Sequence, residues 1–371
     1  MESKVYFMNL RARSPKENKI TKLKKLFQAA GFGDFIEKND LTAIKLHFGE
    51  VGSDGYINPV FVRQIVDKVK EKGAKPFLTD TNTLYSGSRK NAVDHMETAI
   101  LHGFDYAVVG APIIIADGLL QENAVDVEID KKHFKTATIA GTIAEADNMI
   151  VLSHFKGHEM AGFGGAIKNL AMGCAPAKGK KDQHSTRPEV NEDKCIGCGN
   201  CVKVCPEGAI TMENKKSIID KNKCIGCGEC MTVCPTRAIR LNWDTEIKEF
   251  TEKMTEYAYA AVADKKDKVG YINFVINVTP DCDCVPWSDA PIVPDIGILA
   301  STDPVALDKA CLDLVNITAG NTNSFFHEHA HDCKCGEDKF KSMRKNTYGE
   351  IQISYGEEIG LGSSKYELIE I

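Results

Sequence analysis

The stretch KCIGCGNCVKVCPEGAITM at residues 194–212 recurs as KCIGCGECMTVCPTRAIRL at residues 223–241, offset by 29 residues and identical at 12 of 19 positions. Each copy spaces its cysteines C-x2-C-x2-C-x3-C-P. Three cysteines on one tight loop can hold three irons of a cubane cluster. The Cys-Pro step then turns the chain away and carries the fourth thiolate to the other cube. The spacing therefore assigns Cys195, Cys198, Cys201 and Cys234 to one [4Fe–4S] cluster, and Cys224, Cys227, Cys230 and Cys205 to a second. Gly197, Gly199, Gly226 and Gly228 let backbone amides approach the sulfurs. A pair of zinc sites would need four ligands each and gives no reason for the third cysteine of each loop or for the Cys-Pro endings.

Residues 191–242 resemble the bacterial two-cluster ferredoxins throughout. That resemblance implies two neighbouring low-potential clusters suited to one-electron transfer. The second copy departs at Arg237, which stands where the first has Gly208 and brings positive charge near one cluster.

Outward from this unit the pattern changes. Short apolar runs at 4–8, 42–48, 75–79, 106–109 and 149–153 read as strands, and 18–30, 59–72 and 90–102 read as helices. Val62, Ile65, Val66 and Val69 recur at helical spacing, behind Asn58 as N-cap and Pro59 at the first helical position. After the cysteines, 245–262 reads as a helix and 269–277 and 296–300 as strands, and a further helix opens with Asp303 and Pro304. Such alternation predicts an α/β fold with a largely parallel sheet flanked by helices. Because it resumes after the cysteines, the expected organisation is one α/β domain in two parts, 1–190 and 243–371, with a small α+β two-cluster ferredoxin-like insertion at 191–242. Two consecutive independent domains are the alternative.

The chain also resembles the family called domain of unknown function 362, in its ferredoxin-bearing form. The stretches that carry this are KLHFGE (45–50), FKGHEMAGFGGAIKNLAMG (155–173), INVTPDCDCVP (276–286), PIVPDIGILASTDPVALDKA (291–310) and EEIGLGSSKYELIEI (357–371). The resemblance implies an iron–sulfur redox role, in an anaerobic setting, and names no substrate.

Composition bounds the rest. The 371 residues are 43% hydrophobic and 26% charged, with a formal net charge of -6, so the chain carries no overall basic footprint for nucleic acid. The N-terminal MESKVYFMNLRARSP lacks an apolar core of signal-peptide length, and the apolar run at 106–120 is broken by Pro112 and Asp117. A soluble, cytoplasmic protein without a membrane span is expected, and its 14 cysteines then read as metal ligands rather than disulfides. The oligomeric state is not legible.

Six cysteines lie outside the array: 174, 282, 284, 311, 333 and 335. Cys282 and Cys284 in PDCDCVP present two thiols on one side of an extended chain, and HEHAHDCKC (327–335) adds His327, His329, His331, Cys333 and Cys335. A further soft metal site near Cys282 and Cys284 is one expectation, and unliganded thiols are the other. Cys311 falls on an apolar helix face. Asp303 reads as a cap and Asp308 as structural. Asp80 ends a strand before a polar run, 79–88, that suits a binding loop or an ordinary solvated one, and Lys45 and His47 alternate along a strand that ends in a glycine loop, facing either the same cleft or the solvent.

The segment HFKGHEMAGFGGAIKNLAMGC (154–174) joins a strand to a helix through closely spaced glycines. Free amides at a helix start, glycines without side chains, and nearby cations together predict an anion cradle formed by Lys156, His158, Gly162, Gly164, Gly165, Lys168 and Asn169. Its expected occupant is a small anionic ligand or a flavin-like cofactor; the alternative is that the glycines serve close helix–sheet packing, or pack beside a cluster, with the lysines in solvent. GFGGA is not a dinucleotide fingerprint, and the sequence contains no G-x-x-x-x-G-K-[ST] loop. The expected function is an oxidoreductase that delivers single electrons to this ligand. The alternative is an electron carrier or binding protein that serves a partner enzyme, with an electron donor or acceptor protein as partner in either case. The catalytic residues are not identifiable.

Overall fold

The computed structural model describes residues 2–85, 87–184, 188–224, 229–240, 246–265 and 267–371. Eight strands form the main sheet: β1 (Ser3–Asn9), β2 (Leu41–Lys45), β3 (Lys75–Asp80), β4 (Ile113–Ile115), β5 (Asn148–His154), β6 (Val269–Val275), β7 (Gly297–Ser301) and β8 (Tyr366–Glu370). Their order is β8-β1-β7-β6-β5-β2-β3-β4. Only β7 runs antiparallel to its neighbours β1 and β6; every other pairing is parallel. The fold is thus α/β with a largely parallel sheet.

Side-chain alternation along the strands divides the apolar residues between two faces. Met149, Val151 and Tyr271 pack on one face against α4 (Ala166–Gly173), α5 (Glu246–Ala260) and α6 (Pro304–Ile317). Ile150, Leu152 and Ile272 pack on the other face in one cluster with α1 (Lys19–Ala29), α2 (Pro59–Glu71) and α3 (Ala92–Leu101). Each fully buried Val, Leu or Ile contributes roughly 1.5–3 kcal/mol, so both helical layers hold the sheet. The caps form as the sequence implies. The Asn58 side chain accepts from the Val60 amide at 2.9 Å, and Asp303 accepts from the Val305 and Ala306 amides at 2.9 and 3.0 Å.

Two local readings change. Residues 106–109 form a helical turn rather than a strand, because Asp105 caps the Ala107 and Val108 amides and Gly110 ends the turn at φ 74°. The apolar composition there reflects burial of Val109, and the fourth strand lies just beyond, at β4. The closing segment adds an edge strand, β8, paired with β1, that short-range pattern did not reveal.

The two cysteine loops build a small unit with internal two-fold logic. Helices Asn200–Val204 and Glu229–Thr232 pack together, and the hairpin Ile210–Glu213 with Lys216–Ile219 lies alongside. Its core is Cys201, Ile210, Cys230 and Ile239, two pairs related by the 29-residue repeat. Each copy closes on the other: the Asn191 amide donates to Ala238 O at 2.7 Å and the Asp220 amide to Ala209 O at 2.8 Å. Glu189–Val190 pairs antiparallel with Ile239–Arg240, which brings the two ends of the unit side by side. Gly208 and Arg237 adopt the same left-handed backbone, φ 57° and 50°, so the repeat is structural as well as sequential. Among the described residues, no helix is long and apolar enough to cross a membrane.

Candidate functional site

Two groups of residues carry chemistry. The first is the cysteine unit. Cys195, Cys198 and Cys201 of the first loop line one cavity together with Cys234 of the second. This is the interleaved set that the Cys-Pro geometry predicts. Cys205, Cys224 and Cys230 of the other set are present, while Cys227, Gly226 and Gly228 lie outside the described residues. Backbone amides point at sulfur: Ala238 N–H donates to Cys234 Sγ and Ala209 N–H to Cys205 Sγ, both at 3.2 Å. The Ser217 hydroxyl lies 3.4 Å from Cys195 Sγ, and hydrogen bonds from Ser217 hold that thiol below its ordinary range. Partial burial would raise the Cys234 thiol, but amide hydrogen bonds from Ile239 and Ala238 bring it down. Four converging sulfurs with donors aimed at them form a thiolate set, which fits an iron–sulfur cluster.

The second group gathers at the carboxyl ends of β2, β3, β5 and β6, where parallel sheets bind ligands. Lys45, at the end of β2, lies 3.0 Å from Asp80 at the end of β3. It also donates to Asn169 Oδ1 at 2.6 Å, and Asn169 donates in turn to Leu152 O and Ser153 Oγ. Burial would raise the Asp80 carboxyl, yet Lys45, His47, His95 and Arg89 hold it well below the usual carboxylate range. Arg89, 2% exposed, donates to Glu50 at 3.1 Å and to Tyr85 Oη at 2.6 Å, and it lies 3.0 Å from His47 Nε2. Tyr85 Oη passes a hydrogen bond to Cys284 O at 3.0 Å, which joins this network to the PDCDCVP loop.

In that loop Asp283 lies 2.9 Å from His154 Nδ1 and 3.3 Å from Lys156 Nζ. His154 Nε2 faces the carbonyls of Ile276 and Asn277. Burial opposes ionisation of Asp283, but His154 and Lys156 keep its carboxyl far below the usual range. Lys168 Nζ donates to Cys282 Sγ at 3.4 Å. The hydrogen bond from Cys284 holds the Cys282 thiol well below its ordinary value despite burial, and Lys168 and Lys156 reinforce this. The shared proton leaves Cys284 raised. Nearby, burial pushes Asp117 up to about 6 and Lys180 down to about 8.

The cradle expected at 154–174 takes a different form. Residues 156–158 and 162–164 pair as a short hairpin before α4. The amides at the start of α4 are already taken: Ala166 N–H and Ile167 N–H donate to Asp308 at 2.8 and 2.9 Å. The anion at this helix start is therefore the protein's own carboxylate. A Cβ at Gly165 would lie 2.3 Å from Asp308 Oδ1, and one at Gly157 would lie 2.2 Å from Pro280 O, so these glycines permit close packing. Lys156, His158, Lys168 and Asn169 do converge, with their side chains on the Cys282–Cys284 loop and on Lys45.

Among the described residues, His158, Cys282 and Cys284 offer ligand atoms that all lie within 4.8 Å of one another. The 327–335 segment adds none to this group. His329 stacks on Phe325, Cys333 Sγ accepts from Ser342 Oγ, and Cys335 donates to Ile317 O. Cys174 and Cys311 are fully buried in the core. Glu50, Arg89, Asp283 and His154 were not singled out in the sequence. Asp283 was signalled only by its place between two flagged cysteines.

A family model described as Domain of unknown function (DUF362) matches residues 42–313. The chain belongs to this family. The DUF362 match runs from β2 into α6, and so takes in both cysteine loops and the buried polar network. Ferredoxin-2 of Desulfomicrobium norvegicum is 52% identical over 29 residues, 8% of this chain and 49% of that protein. Two solved structures are also similar. The lactate racemase apoprotein from Thermoanaerobacterium thermosaccharolyticum has a TM-score of 0.35 at 15% identity, covering 68% of this chain and 49% of that one. A Thermotoga maritima protein has a TM-score of 0.34 at 10% identity, covering 77% and 57%. The chain thus spans about half the length of the proteins it matches. The ferredoxin match and the gathered cysteines point to iron–sulfur binding and electron transfer in this DUF362 protein.

Proposed function

We propose that this chain is an iron–sulfur redox protein. Its cysteine loops hold two [4Fe–4S] clusters, and its α/β domain binds a small anionic substrate or organic cofactor. One set of ligands is Cys195, Cys198, Cys201 and Cys234; the other is Cys224, Cys227, Cys230 and Cys205. Residues 191–242 are an insertion between the two parts of the α/β domain, 1–190 and 243–371. The observation that carries the reading is the cavity that joins Cys234 of one loop to the three leading cysteines of the other. Such clusters supply one-electron transfer when bound.

The chain's own residues would prepare the acceptor side. Lys45, Arg89, Lys156, Lys168 and Lys180 stand against Asp80, Glu50, Asp283, Asp117 and the Cys282 thiolate in one connected buried network, so the five cations meet five anionic partners. That balance suits a ligand of low net charge. Asn169 and Tyr85 add hydrogen bonds that fix the lysine and the loop around it. A buried network of this kind is a site built for binding rather than a carrier's surface, which favours the oxidoreductase over a carrier that delivers electrons to a partner enzyme.

The test is metal content. Anaerobically prepared protein is expected to contain about eight irons and eight acid-labile sulfides per chain, and its reduced EPR spectrum should show two interacting spins. Cys205→Ser should damage the set at 224, 227 and 230 and largely spare the other. Iron near four per chain in fully loaded protein, or zinc alone, refutes the two-cluster reading.

A further inference from the structure

Cys282 and Cys284 stand apart from the other cysteines outside the array. The Val285 amide donates to Cys282 O at 3.1 Å, which closes a turn that folds the two thiols toward each other. The turn is held at both ends: Arg344 Nη1 donates to Pro280 O at 2.6 Å and Tyr85 Oη to Cys284 O at 3.0 Å. Cys282 is 2% exposed, while Cys284 is half-buried.

Two observations decide what the pair does. First, His158 Nδ1 accepts from the Met160 and Ala161 amides at 3.1 and 3.0 Å. A nitrogen that accepts carries no proton, so the proton of the neutral ring sits on Nε2. Nε2–H can donate toward sulfur but has no lone pair to offer a metal. Second, the Lys168 ammonium lies 3.4 Å from Cys282 Sγ, and Lys156 reaches the adjacent Asp283 at 3.3 Å. Cations so placed hold a thiolate and repel a divalent metal. The three-residue group that resembles a metal site is thus arranged around a sulfur anion.

We infer that Cys282 and Cys284 form a dithiol–disulfide couple that gathers single electrons into a two-electron store. The inference rests on the iron–sulfur reading for its electron source. In the reducing direction the S–S bond breaks as the pair takes up two electrons, singly, from a low-potential iron–sulfur donor, together with one proton. Cys282 emerges as the thiolate beside Lys168, and Cys284 as the thiol. In the other direction the pair reduces a small disulfide. The S–S bond re-forms, and the substrate's own disulfide opens to two thiols, which take the proton of Cys284 and one from solvent.

The experiment uses the full-length iron-loaded protein. The tryptic segment 269–309 contains Cys282 and Cys284 as its only cysteines. After anaerobic treatment with diamide, denaturation and alkylation, this segment should carry no alkyl groups and weigh about 2 Da less than its reduced form. The segments holding Cys333 and Cys335, separated by Lys334, serve as internal controls. In a stoichiometric dithionite titration the diamide-treated protein should consume about two more electrons per chain than Cys284→Ser at equal iron content. A Cys282→Ser variant checks the same difference should Cys284→Ser fold poorly. Full alkylation of both cysteines after diamide overturns the inference. So does a stoichiometric zinc or iron, beyond the cluster iron, that is lost in Cys282→Ser. If iron proves absent while the disulfide still forms, the couple stands and the cluster reading falls.

Discussion

Removing the Asp308 carboxylate should unlatch the helix that organises the site. Asp308 is fully buried and accepts from the Ala166 and Ile167 amides and, at 2.6 Å, from Asn273 Nδ2. In Asp308→Ala these three donors lose their acceptor inside the core. Each buried donor left unpaired costs about 1–3 kcal/mol. Water entering the space left by the side chain offsets part of that, so a net loss of about 3–5 kcal/mol is expected near pH 5. The pH dependence has a definite sign. Burial raises the Asp308 carboxyl from 3.8 to about 6, against the hydrogen bonds of Ile167, Asn273 and Ala166. A carboxyl raised on folding contributes stability that is complete below pH 3.8 and is lost as pH rises through about 6. The penalty of Asp308→Ala should therefore be smaller at pH 7 than at pH 5, by roughly 1 kcal/mol. Anaerobic urea unfolding followed by far-ultraviolet circular dichroism, at both pH values, measures this. Asp308→Asn, which keeps one acceptor oxygen, should lose less. A loss below about 1 kcal/mol in Asp308→Ala refutes the assignment of Asp308 as the acceptor at the helix start, and a penalty that grows between pH 5 and 7 refutes burial as the dominant influence on its carboxyl.

Three further outcomes are expected. Asp80→Asn or Lys45→Met alone should cost about 3–5 kcal/mol, because each leaves a buried charge without its partner; the double variant should cost clearly less than the sum, and additive losses would show that the two do not interact. Gly165→Ala places a methyl 2.3 Å from Asp308 Oδ1, so it should lower the unfolding midpoint and shorten the lifetime of α4 amides in hydrogen exchange, whereas an unchanged midpoint would place the glycine in open space. Lys156→Ala with Lys168→Ala should weaken retention of any co-purified anionic ligand while iron content stays unchanged; full retention, read by absorbance and mass spectrometry of the released ligand, would remove these lysines from the binding site.

The sequence was most informative where function depends on spacing along the chain. The ferredoxin-like loops space their cysteines at fixed local intervals, so Cys195, Cys198, Cys201 and Cys234 can be grouped from the sequence alone, and in the structure all four line one cavity. Helix caps at Asn58 and Asp303 and the α/β alternation are likewise local, and both were read from the chain. Tertiary structure decided whatever depends on distant segments meeting. The free amides at residue 166 looked like an anion site because nothing nearby in sequence satisfies them, but their partner is a carboxylate 142 residues away. Cys282 and Cys284 found His158 and Lys168 rather than the nearer histidines at 327–331, because the hairpin at 156–164 and the loop after β6 converge at the same end of the sheet. Lys45, Asp80 and Arg89 are polar residues that one-dimensional pattern would leave in solvent. The parallel sheet brings them together and buries them, and in low dielectric their charges must pair with one another.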